Sequence, residues 1–78
     1  MPRPITGESP LAQLRIRASL SQQRLAEQLG VISESRIHRW ETGRTRPSVD
    51  ILPRLASTLG VSVEALVQAI VQTPRRHE

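Results

Sequence analysis

The chain has no cysteine, no lysine, no tyrosine and no phenylalanine, and its one aromatic residue is Trp40. Without cysteine there can be no disulfide and no thiolate metal site, which agrees with a reducing cytoplasm. A lone tryptophan argues against a platform for single-stranded bases, which would want several stacking rings. No apolar run approaches the roughly 20 residues that span a bilayer. The opening Met1-Pro2-Arg3-Pro4 has no apolar run behind it, so no signal peptide is expected. Histidine is scarce, with only His38 and His77, and the carboxylates are not clustered. Nothing assembles a nucleophile–base pair or a metal site, so no enzyme, cofactor or metal is expected. The composition fits a soluble intracellular protein.

Arginine is what the chain has. Its 11 basic residues are all arginine and outweigh 7 acidic ones, for a net charge of +4. A high-GC genome would raise arginine usage on its own. A guanidinium fork also grips phosphate and guanine with two bonds at once. A basic chain this small points to an anionic partner. Nucleic acid ranks above membrane, because there is no basic amphipathic helix with an aromatic face.

At 78 residues the chain is one domain with one modest core. Residues 1–8 hold Pro2, Pro4 and Gly7 and read as a flexible arm with Arg3 near its start. Residues 9–72 read as the folded domain, and 73–78 as a frayed, disordered basic tail. Ser9-Pro10 opens helix one, over 10–18, with Leu11, Leu14 and Ala18 at helical spacing. Ser21 caps helix two, whose inner face is Leu25, Ala26 and Leu29, and Gly30 ends it. Val31 and Ile32 bury the turn. Ser33 caps helix three, with Ile37 and Trp40 inward and Gly43 closing it. Ser48 is the expected cap of helix four, with a stripe of Ile51, Leu52, Leu55, Ala56 and Leu59. Pro53 would remove a backbone bond from a helix starting at Val49, so an irregular first turn is expected. Gly60 ends that helix and Ser62 caps helix five, where Val63, Leu66, Val67 and Ile70 pack inward. Five helices and no strand make an all-α fold.

Residues 20–47 carry the function. Two short helices meet at a tight turn, followed by an arginine-bearing loop. The exposed side of the second helix carries Glu34, Ser35, Arg36, His38 and Arg39. A short polar, cationic helix held by another suits the DNA major groove.

The landmarks run in order. They are Leu14-Arg15, Leu20-Ser21-Gln22, Leu25-Ala26, Gly30-Val31, Ile37 through Trp40-Glu41, Gly43, Pro47-Ser48, and Leu55-Ala56 through Leu59-Gly60-Val61-Ser62. In these the chain resembles the Cro/C1-type, or XRE-type, helix-turn-helix family, which includes the lambdoid phage repressors. The likeness covers residues 11–67 and implies a compact five-helix, lambda-repressor-like domain. It implies that helix three is the recognition helix, with Glu34, Ser35 and Arg39 reading bases. It implies that Gln22 and Ser21 hold a phosphate, and that Thr42, Arg44, Thr45 and Arg46 grip phosphates from the loop. It also implies an ion pair between Arg15 and Glu41 that fixes helix three. One departure stands out. The family has one residue fewer between Gly30 and Ser33, and taking Ile32 as the extra one keeps Ile37, Trp40 and Glu41 in register.

The chemistry of these residues bears on the same roles. Arg39 can give two bonds to guanine O6 and N7. Glu34 can accept from cytosine N4, or can simply favour the positive end of its helix. His38, one turn on, could contact the groove or a phosphate, or be a surface histidine; two ligands make no metal site. Arg44 and Arg46 suit phosphates, and Arg36 and Arg24 are further candidates unless they point sideways. Arg3 could enter a minor groove or merely solubilise the arm.

The expectation is a cytoplasmic, nucleoid-associated, sequence-specific double-stranded DNA-binding regulator, repressor-like, acting as a homodimer on a palindromic operator. The alternative is an antitoxin that binds a toxin protein and represses its own promoter.

Overall fold

The computed structural model describes residues 9–30 and 32–73. The expected arm with Arg3, the turn residue Val31 and the last five residues lie outside them. Five α-helices follow in order: α1 (Pro10–Arg17), α2 (Gln22–Leu29), α3 (Glu34–Glu41), α4 (Leu52–Leu59) and α5 (Val63–Gln72). A 3-10 turn, Val49–Ile51, leads into α4. There is no strand among the described residues.

Each helix is short, so propensity alone would not hold it and packing must. Serines mark the starts. Ser9, Ser21, Ser33 and Ser62 each accept a bond from the backbone N–H three residues on, at 3.0–3.2 Å. Ser48 does not follow them: its side chain makes no cap bond. The cause is Pro53. An α-helix starting at Val49 would need an N–H at Pro53 to reach the Val49 carbonyl, and proline has none. The chain instead tightens into the 3-10 turn, where the Ile51 N–H meets the Ser48 carbonyl at 3.1 Å. Pro53 then sits in the first turn of α4, where no N–H is needed.

The core is Leu11, Leu25, Leu29, Ile37, Trp40, Leu55, Leu59, Leu66 and Ile70, with Ala26 and Ala56 between the helices. Ile32 packs partly against it. Two expectations about α5 need correction. Val63 and Val67 are 42% and 38% exposed, while Ala69 is buried. Only the Leu66, Ala69 and Ile70 side of α5 is turned inward, so Val63 and Val67 fall on the rim. Thr73 likewise belongs to the fold rather than to a frayed tail. It is 4% exposed, and its hydroxyl donates to the Ala69 carbonyl at 2.8 Å, so its polar group is satisfied inside.

Ser19, just past α1, has φ +61°, the left-handed conformation that side chains resist. The Leu20 N–H reaches back to the Arg15 carbonyl at 3.2 Å across it. Ser19→Gly should therefore stabilise the domain by about 0.5–1 kcal/mol, read as a higher urea midpoint. An unchanged or lower midpoint would mean that the serine is not strained there. Gly30 and Gly60 have φ +89° and +75°, and a Cβ at either would meet no atom within 4 Å. The backbone angle, not space, is what asks for glycine at both.

Candidate nucleic-acid interface

α3 is divided by its own period. Ile37, Trp40 and Glu41 turn inward and are buried, while Glu34, Ser35, Arg36, His38 and Arg39 are exposed. α2 packs beside it, and α1 touches it from the other end of the network described below.

Grooves run along both flanks of α3. Gln22, Glu34, Ser35, His38, Arg39 and Arg44 line the one toward α2. The other is lined on its cationic side by Arg36, Arg39 and Arg46, and on its apolar side by Ile32, Trp40 and Ile51. Arg39 borders both grooves. Arg44 and Arg46, two residues apart in one loop, thus fall on opposite flanks. The loop that separates them is tied down. The Gly43 N–H bonds to the Trp40 carbonyl at 3.3 Å and the Arg44 N–H to the Arg39 carbonyl at 3.0 Å. These bonds satisfy carbonyls that the end of α3 would otherwise leave open.

The other candidates are placed as follows. Ser21 is exposed, and its oxygen caps α2 through the Arg24 N–H. Thr42 turns its hydroxyl back to the His38 and Arg39 carbonyls, at 3.0 and 3.3 Å, so that donor closes the helix rather than facing a groove. Thr45 lines the Arg46 flank. Arg24 lies 3.8 Å from Glu27 on its own exposed helix surface. No group of three metal-ligating side chains gathers among the described residues.

Behind α3 lies a polar network. Arg15 Nε donates to Glu41 Oε2 at 2.6 Å and Arg15 Nη2 to Oε1 at 3.2 Å. Arg15 Nη1 donates to the Leu20 carbonyl at 2.8 Å, just ahead of the α2 cap. Gln22 Nε2 donates to Glu41 Oε1 at 2.9 Å. One carboxylate, 7% exposed, therefore ties α1, α2 and α3 together. Among the described residues no buried side-chain polar atom lacks a partner. The Gln22 bond was not foreseen from the sequence. It joins positions 19 residues apart, and no periodicity signals it.

Arg54 adds a second tie. Its Nη1 donates to the Leu29 carbonyl at 3.3 Å, so α4 holds the end of α2 where the turn into α3 begins. No single helix among the described residues is long and apolar enough to cross a membrane.

Comparison with known proteins agrees with this architecture. A family model described as helix-turn-helix matches residues 11–66. The HTH-type transcriptional activator BcrR of Enterococcus faecalis is 35% identical over 57 residues, which are 73% of this chain and 28% of that protein. The chain thus spans little more than a quarter of that relative's length. No solved structure matches. On the match over most of its length, the chain belongs to the Cro/C1-type, or XRE-type, helix-turn-helix family, a family of DNA-binding transcription regulators.

Proposed function

We propose that the chain is a sequence-specific double-stranded DNA-binding regulator that sets α3 into the major groove and represses transcription by occupying its operator. The observation that carries this reading is the outer face of α3, with Arg39 between two grooves and arginines on both flanks. An eight-residue helix is about 12 Å long, comparable to the roughly 12 Å width of the major groove. Arg39 reads guanine, Glu34 accepts from cytosine, and Ser35 and His38 make the remaining base-edge contacts. Ser21, Gln22 and Arg44 hold phosphates on one side, and Arg36, Thr45 and Arg46 on the other. Two copies bind a palindrome with half-sites about 34 Å apart, one helical turn. This work takes place in the cytoplasm, on the nucleoid.

The test is selection of bound sites from random-sequence duplexes. The reading requires an enriched, symmetric motif; recovery of random sequence would sink it. Arg39→Ala should then weaken binding to the selected site by about 1–3 kcal/mol, roughly 5- to 150-fold, while changing binding to unrelated duplexes far less. Equal losses on both would make Arg39 a phosphate contact.

Activation is a second reading, favoured by the likeness to a transcriptional activator of Enterococcus faecalis. A promoter reporter carrying the selected site separates the two. Expression falls with occupancy under repression and rises under activation.

A further inference from the structure

We infer that Glu41 is a positioning residue for DNA binding: held by Arg15, its carboxylate orients the Gln22 amide so that an N–H, not the carbonyl oxygen, meets the phosphate. The inference rests on the DNA-binding reading above.

The chemistry of the contact fixes the amide. A carboxylate can only accept hydrogen bonds, so the nitrogen of Gln22 must face Glu41. That nitrogen carries two N–H groups, and the 2.9 Å bond to Oε1 uses one. The second remains for an anionic acceptor. A flipped amide would offer its oxygen to a phosphate and repel it.

Gln22 sits where such a donor is useful. It is half-buried and lines the groove between α2 and α3 beside Arg39 and Arg44. A free glutamine has three side-chain torsions to immobilise when it grips a ligand. Here the restriction exists before DNA arrives. The Arg15 bond to the Leu20 carbonyl fixes the backbone at the start of α2 as well. Backbone and side chain of Gln22 are thus both referenced to the one ion pair. If that pair served the fold alone, DNA affinity would not depend on it through Gln22.

A double-mutant cycle separates the two roles. The probe is a short mixed-sequence duplex at low salt, which suffices because the contact is to phosphate. The variants are Gln22→Ala, Arg15→Met with Glu41→Met, and all three together, each first shown to be folded by thermal melting. Gln22→Ala should weaken binding about fivefold. The methionine pair should weaken it by a similar factor, and the triple variant by no more than either. Losses that multiply would overturn the inference, as would a methionine pair that binds like the parent. Should that pair not fold, Arg15→Leu with Glu41→Leu replaces it in the same cycle with the same pattern required. Absence of any duplex binding by the parent would instead remove the DNA-binding reading itself.

Discussion

Glu41→Ala should lower the unfolding free energy by about 3–5 kcal/mol, because it leaves the Arg15 guanidinium enclosed without its counter-charge. The Arg15 side chain is 13% exposed and the Glu41 side chain 6%, so water screens neither well. Removing the carboxylate deletes two bonds from Arg15 and one from Gln22. Stability of about 0.05–0.15 kcal/mol per residue gives a domain of this size roughly 4–12 kcal/mol in all. The loss is therefore a large share of the whole, and the urea midpoint should fall by a matching share. Replacing both partners by methionine should cost far less and can even stabilise, since no charge is left buried. Urea melts of the two variants make the comparison. A Glu41→Ala loss below about 1 kcal/mol would place the pair among exposed ones.

The second large effect is on salt. Affinity for duplex DNA should fall about a thousandfold between ~50 mM and ~200 mM monovalent salt. The estimate comes from Arg36, Arg44 and Arg46, which give about six cationic phosphate contacts in a pair of copies and a logarithmic slope near −5. Because Arg44 and Arg46 face opposite flanks of α3, they should act independently. Each, changed to alanine, should flatten the slope by about two for the pair of copies. Arg24→Ala should leave it nearly unchanged, since Arg24 sits beside Glu27 on its own helix. Binding with no dependence on salt would mean that these arginines do not touch phosphates.

Most of the fold could be read from the sequence because its signals are local. Ser9, Ser21, Ser33 and Ser62 mark helix starts by their own hydroxyls. Gly30 and Gly60 mark ends by their backbone angles. Pro53 announced an irregular entry to α4, and the 3-10 turn is that irregularity. What failed was set by distant partners. A helical stripe in α5 admits either Val67 or Ala69 to the core, and packing against α1 and α4 selects Ala69. Ser48 has the sequence of a cap, but the 3-10 turn after it leaves its hydroxyl unused for capping. Arg44 and Arg46 look equivalent in a loop until the amides of Gly43 and Arg44 fold back onto α3 and part them. The Gln22 contact to Glu41 exists only once α2 and α3 have packed together.

On the proposed function, α3 meets DNA in the major groove with Arg39 at a guanine. Dimethyl sulfate tests it directly, since it methylates guanine N7 in the major groove and adenine N3 in the minor groove. On a selected site the chain should protect guanine N7 in two clusters one helical turn apart, and Arg39→Ala should lose one guanine of that protection in each half-site. Protection confined to adenine N3, or a pattern that Arg39→Ala leaves unchanged, would contradict it.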